Sequence, residues 1–423
     1  MYFDVALNRG ESLEDTQDRL ERLRGILYEP PSQEGWRALV GLFEAWPADE
    51  ASLLVGVDYA QERLELWPQE LRAAGLGLGF ELVAYERSAS GRPRWRFAGL
   101  RDVPHPAWSL GRKLDLSGLV GGLRPAEAKA LSQWPHMAEL SWLRAAQVFV
   151  GGLGESADTS VVHLAGAPWF SELSRVELPQ NGIGPRGASF LVGSARPHLR
   201  WLDLDQNAVE NMGATFIGAS PHLRGLERLQ LEGNGIGDPG LRALARSEHL
   251  AAVSHFGFGG NLAGDRGFEA LLSSPLMRGL ETLEFSRNRL SAAGVMGLAQ
   301  SPGASSLFAL DLSDNAVGPQ GASALAQSPS LAGLRRLSLA GCGVEGAGAE
   351  ALAQSASLRH LRHLDLSGNH IGPRGAAALA ASANVCSLDT LDLSENLIGE
   401  EGRRALAHSP HLKAHVRLSF AMA

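Results

Sequence analysis

HLDLSGN (363–369) and TLDLSEN (390–396) are near copies standing 27 residues apart, and their shared pattern, L-x-L-x-x-N, decides the fold. Working outward, the asparagine recurs at Asn181, Asn207, Asn234, Asn261, Asn288, Asn315, Asn369 and Asn396, and Cys342 fills the one beat that lacks it. A fixed interval of this kind arises when each segment stacks on a copy of itself, because every copy then needs the same residues at the same places. Two leucines at a spacing of two point to one side of a short strand and enter the core, while the residue between them faces outward. The asparagine ends the strand. Its amide can bond the turn and the backbone of the neighbouring coil, where loop peptide groups would otherwise stay unpaired. Cys342 is expected to replace it structurally, as a weak thiol donor.

Each asparagine is followed by an apolar anchor (Ile183, Val209, Ile236, Leu290, Val317, Val344, Ile371, Ile398) and then by a helix such as GPQGASALAQS (318–328). Alanine and leucine favour that helix, and small alanines let neighbouring helices approach closely. Serine-proline steps, as at Ser220-Pro221 and Ser328-Pro329, stop it. WLDLDQN (201–207), RLQLEGN (228–234) and ALDLSDN (309–315) repeat the theme. From about 175 to 420 the chain resembles the leucine-rich repeat family, and the 27-residue step with an alanine-rich second half resembles its ribonuclease-inhibitor-like subclass. The resemblance implies an α/β fold: a leucine-rich repeat solenoid, or horseshoe, with a parallel concave sheet and convex helices. One coil buries about five apolar side chains at roughly 1.5–3 kcal/mol each, too little to offset its own chain entropy, so neighbours must stabilise one another.

KLDLSGL (113–119) and ELSWLRA (139–145) fit as earlier strands, which extends the expected solenoid to 109–423, with an irregular insertion near 146–170 that includes VGGLGESADTS (150–160). Residues 1–108 differ in kind. All nine tryptophans lie at or before Trp201. Ser12-Leu13-Glu14-Asp15 reads as a capping box, after which Leu13, Leu20, Leu23 and Leu27 share a helical face up to Pro30-Pro31. A second helix is expected over 33–45 and a third through Leu53, Val57, Ala60, Leu64 and Trp67, ended by Pro68. A hairpin is expected over 80–97. This opening resembles the helical companion domain of bacterial leucine-rich repeat proteins through ILYEPPSQEGWRALVGLFEAW (26–46), which implies a mainly helical N-terminal cap over the first coil.

Acids outnumber bases, 46 to 38, for a net charge of −8, which argues against nucleic acid because phosphate binding needs a basic stripe. No apolar run approaches a membrane span, the start carries no signal-peptide pattern, and the two cysteines make no disulfide framework. The expected setting is cytoplasmic. Only three of the basic residues are lysines, and glycine is abundant, which points to a GC-rich bacterial genome. None of the three follows a glycine, so a P-loop is excluded, and neither G-x-S-x-G nor H-E-x-x-H occurs. His408, His411 and His415 fall at a turn position of the repeat rather than at a metal site. No enzyme activity, catalytic residue, cofactor or metal is expected.

The outward position between the strand leucines reads Asp115, Glu177, Asp203, Gln230, Gly257, Glu284, Asp311, Ser338, Asp365 and Asp392, of which seven are acids. Neighbouring strands lie about 4.8 Å apart, so these carboxylates repel by roughly 1 kcal/mol in water and need solvent or cations. Asp205, Glu232, Asp314 and Glu395 stand beside the column. HFGFGG (255–260) interrupts it, as a bare glycine notch with Trp201 nearby as an exposed anchor. The expected protein-binding residues are therefore Trp201, Asp203, Asp205, Glu232, Glu284, Asp311, Asp314, Asp365, Asp392 and Glu395, facing a basic protein partner. The rival reading of the aspartates is a solvated repeat consensus. A rival function is regulation of a small GTPase, implied by the activators of Ran-type GTPases in the same subclass, although their acidic tail is missing here. Counting 27 from Asn396 predicts a last strand with Leu418 and Phe420 in the core. Lys413 and Arg417 on that edge favour a monomer over an edge-to-edge dimer.

Overall fold

The computed structural model describes residues 13–46, 51–68, 71–72, 80–87, 93–149 (without 103, 118, 120, 121 and 139), 157–194, 198–412 and 415–417. The chain forms two compact units, 1–181 with 194–199, and 182–193 with 200–423.

The first unit opens with helices Leu13–Tyr28, Gln33–Glu44 and Ala51–Leu64, placed where the apolar spacing and the prolines put them. Ser32 caps the second by accepting the N–H of Gly35 at 3.0 Å. Their buried faces meet through aromatic side chains: Phe43 stacks on Trp46 at 5.8 Å, and Trp36 meets Trp67 at 6.5 Å. The expected hairpin is β1 (Phe80–Arg87) with β2 (Pro93–Leu100), an antiparallel pair. The expected Ser12 cap and the hairpin tip lie outside the described residues. Repeat strands follow as β3 (Lys113–Asp115), β4 (Trp142–Arg144) and β5 (Arg175–Glu177), all parallel. The carbonyl of Arg72 accepts the N–H groups of Arg112 and Lys113 at 2.8 and 3.1 Å, the same pair of bonds that β4 receives from the carbonyl of Arg112. Arg72 is itself buried, with its guanidinium on the carbonyl of Leu110.

In the second unit the regular clock builds β6 (Trp201–Asp203), β7 (Arg228–Gln230), β8 (His255–Gly257), β9 (Thr282–Glu284), β10 (Ala309–Asp311), β11 (Arg336–Ser338), β12 (His363–Asp365), β13 (Thr390–Asp392) and β14 (His415–Arg417). Each pairs in parallel with the next, leucine opposite leucine except that β8 sets Phe256 between Leu229 and Leu283 and β14 sets Val416 opposite Leu391. The asparagines do what the pattern requires. Asn261 donates to the carbonyl of Leu231 in the preceding coil at 2.8 Å and accepts the N–H groups of Asn234 and Ile236 at 3.1 and 3.0 Å. Cys342 keeps one arm of this ladder, with Sγ donating to the carbonyl of Leu312 at 3.1 Å, and burial pushes its thiol up to about 12. Helices are tied coil to coil by the serines that end them: Ser328 Oγ donates to the carbonyl of Ala299 at 2.7 Å, and Ser220 Oγ to that of Val192 at 2.7 Å. In the coil of β8, where Phe256 and Phe258 replace the two strand leucines, the core is aromatic, with Phe258 stacked on Phe285 at 5.5 Å and Phe268 tilted against Phe285 at 4.7 Å.

The last strand departs from the count. Val416 pairs with Leu391, a step of 25 residues instead of 27, so Leu418 is not the partner of Leu391. Where earlier coils bury Leu334, Leu361 and Leu388 ahead of the strand, this coil has His415 at the 27-residue position. Val416, Leu418 and Phe420 alternate at a spacing of two, so a slip of two residues keeps the same face inward at little cost. Leu418 and Phe420, like Lys413, lie outside the described residues.

Candidate binding face

The residues flanking the buried centre of each repeat strand make two parallel columns, and on β6, β7, β10, β12 and β13 both flanking residues stand half-exposed. The column after the leucine is the acidic one foreseen above. The structure adds two positions to it, Arg144 on β4 and Arg417 on β14. The column before the leucine was not anticipated. It holds Lys113, Trp142 and Arg175 in the first unit, and Trp201, Arg228, His255, Thr282, Ala309, Arg336, His363 and Thr390 in the second.

In the first unit the two columns neutralise one another. Lys113 pairs with Asp115 at 3.5 Å, Arg144 lies 3.8 Å from Asp115 and 3.5 Å from Glu177, and Arg175 pairs with Glu177. The Trp142 ring sits between Lys113 and Arg175, 3.9 and 3.7 Å from its centroid, a double cation–π stack. These charges are already satisfied.

In the second unit the expected binding residues fall into three groups. Trp201 is half-buried rather than exposed, because the Arg228 guanidinium covers its ring at 4.2 Å. Beside it, Asp203 accepts the N–H of Asp205 at 2.9 Å, and Asp205 accepts the N–H of Glu232 at 2.6 Å. Burial, reinforced by the charge of Asp203, pushes the Asp205 carboxyl up to about 7. Asp314 and Glu395 sit exposed at the turns, the former 3.4 Å from Arg287. Glu284, Asp311, Asp365 and Asp392 line a groove of about 670 Å³ running from Arg228 to Asp392.

Within the groove, Asp311, Asp365 and Asp392 each use Oδ1 to accept from the N–H and hydroxyl of the serine two residues on. The repeat consensus thus has a local structural role, the turn at the strand end, and the carboxylate charge still faces the groove. The notch is not bare. Gln230 lies over Gly257, in the space a β-carbon there would need, and its Nε2 reaches Glu284 at 3.3 Å, two strands away. A side chain that spans the gap left by glycine is invisible to a column read one coil at a time. His255 is held neutral more firmly than a free imidazole, by burial and then by Arg228. Among the described residues no group of three or more histidines, cysteines and acids is arranged to hold a metal.

Five segments, residues 222–245, 304–326, 334–353, 357–380 and 386–407, match a family model described as Leucine Rich repeat. No match was found among the curated proteins. Among solved structures, an internalin of Listeria monocytogenes is 17% identical with a TM-score of 0.49, covering 95% of this chain and 98% of that one. A chain of the yeast Rad7 and Elc1 complex is 15% identical with a TM-score of 0.45, covering 73% of this chain and 79% of that one. With strand, asparagine turn and helix returning every 27 residues, and five of those segments matching that model, the fold is a leucine-rich repeat solenoid with a parallel sheet on one side and helices on the other.

Proposed function

We propose that this chain is a noncatalytic interaction scaffold of the ribonuclease-inhibitor-like kind, which takes a basic stretch of a protein partner on the concave face of its second unit. Leucine-rich repeat proteins generally serve as protein-interaction scaffolds, and the fold is typically non-enzymatic. The observation that carries the reading is the line of Glu284, Asp311, Asp365 and Asp392 along one groove, none of them in an ion pair among the described residues. Carboxylates held side by side repel one another, and a cationic partner relieves that repulsion. Residues 1–108 act as a cap: the Arg72 carbonyl supplies the first repeat strand with the bonds that a preceding coil would give, and protects an open edge. Two free cysteines, one buried and one exposed, suit a reducing cytoplasm. No helix among the described residues is long and apolar enough to cross a membrane.

Capture from native cell extract tests the reading. Wild type should retain a basic protein that is lost in high salt, and the Glu284→Lys, Asp311→Lys, Asp365→Lys, Asp392→Lys variant should not. Equal retention by the folded variant moves the site elsewhere.

A further inference from the structure

The same groove carries a second signal, which rests on the reading just given and sharpens it. Arg228, His255, Arg336 and His363 line the groove together with the four carboxylates, in the column two residues earlier on each strand. Two residues of strand rise separate the columns by roughly 6.5 Å, a distance that side chains bridge easily. The first unit shows this: Lys113 with Asp115, and Arg175 with Glu177, are ion pairs across the same two columns on the same strand.

In the second unit, from β7 to β13, the arginines and the carboxylates are sorted onto different strands. Arg228 shares its strand with Gln230, and Arg336 with Ser338; Glu284 shares its strand with Thr282, Asp311 with Ala309, and Asp392 with Thr390. From β7 to β13 no strand bears both a guanidinium and a carboxylate, and among the described residues no ion pair joins the columns there. Arg228 rests on Trp201 and Arg336 lies 5.9 Å from the Phe308 ring, so each cation is held by an aromatic face that leaves its charge unneutralised.

The geometry points to a partner element with two charged flanks: a helix lying across the strands, with lysines or arginines over the Glu284–Asp392 column and carboxylates over Arg228 and Arg336. A helix fits because its i, i+4 residues advance about 6 Å along its axis, close to the strand spacing of about 4.8 Å, while its two flanks match the column separation. An all-basic helix is a poorer fit, because it sets its own cations against Arg228 and Arg336.

The test uses the full-length protein and three stapled 21-residue helical peptides at pH 8. One peptide carries lysine on one flank and glutamate on the other, the second replaces each glutamate with glutamine, and the third carries lysine on both flanks. Fluorescence anisotropy should rank them in that order, with the first about tenfold tighter than the second, the worth of two charge pairs at an interface. Arg228→Gln with Arg336→Gln, checked for folding by circular dichroism, should erase that advantage and leave the lysine–glutamine peptide unaffected. Equal binding of the first two peptides to wild type, or an advantage that survives in the double variant, overturns the two-flank inference and leaves the basic-partner reading standing. If none of the three peptides binds in a salt-dependent way, both fall.

Discussion

Asn369 offers the sharpest measure of what the repeat asparagine does. The residue is fully buried; its Nδ2 donates to the carbonyls of Leu339 at 2.6 Å and Ser367 at 3.0 Å, and its Oδ1 accepts the N–H groups of Cys342 and Val344, both at 3.0 Å. Asn369→Ala removes all four bonds. The two carbonyls each have a second lone pair and lose less; the two N–H groups are left without partners, at about 1–3 kcal/mol for each buried unmet group. The expected loss is therefore about 2–6 kcal/mol, large against a typical total stability of about 5–15 kcal/mol. Cys342 supplies the internal control, since a thiol at the equivalent place keeps only the bond to the preceding coil, to Leu312. Asn369→Cys should thus cost less than Asn369→Ala. Because neighbouring coils are only locally coupled, the damage should be local. Urea unfolding by far-ultraviolet circular dichroism gives the total, and hydrogen exchange at the Cys342 and Val344 amides gives the place. An unchanged midpoint together with unchanged protection of those two amides would refute the reasoning.

Further expected outcomes concern other parts of the second unit. Asp205 has a folded-state pKa raised to about 7, so between about pH 4 and 7 the folded state holds a proton that the unfolded chain has lost; stability should fall as pH rises through that window and stay flat above it. Asp205→Asn should remove that slope and raise stability at pH 8 by about 1–2 kcal/mol, a figure reduced for the residue's partial exposure to solvent; a slope that persists in calorimetry would remove Asp205 as its source. Gly218→Ala, normally a gain in a helix, should instead destabilise by about 1–3 kcal/mol, because the new β-carbon would lie 2.7 Å from the carbonyl oxygen of Ala243; a raised melting temperature would contradict the close helix packing. Gly257→Ala meets only the mobile end of Gln230, so it should cost less than about 1 kcal/mol, and loss of cooperative melting would show that Gln230 is held more firmly than its bond to Glu284 suggests. Asp203 and Glu232 changed together to lysine, with Asp205 kept because burial raises its carboxyl and it holds the Glu232 N–H, should weaken salt-dependent partner binding without unfolding the chain, as competition assays at two ionic strengths would show.

Much of the molecule was legible because the same short instruction is written many times. The period, the strand leucines, the asparagine turns, the three opening helices and the hairpin all follow from local patterns whose partners lie within one turn, one strand or one repeat. The acidic column was legible for the same reason, and so was the turn serine after each aspartate, although its hydrogen bonds to Asp311, Asp365 and Asp392 were not drawn from the pattern. The neighbouring column of Arg228, His255, Arg336 and His363 could have been read too, since it stands one residue before each strand leucine.

Other features became visible only with the coils in place. The sequence by itself determined which residues enter the core and how often, since burial of leucine at a fixed interval outweighs any single polar contact. Tertiary structure alone decided that Gln230 crosses Gly257 to reach Glu284, that Arg228 covers Trp201, and that β14 pairs Val416 with Leu391. The physical reason is that these choices join positions 25 to 54 residues apart and turn on long, flexible side chains or on a register that a two-residue slip leaves equally apolar. Their energies are small beside that of the core, so no periodicity records them.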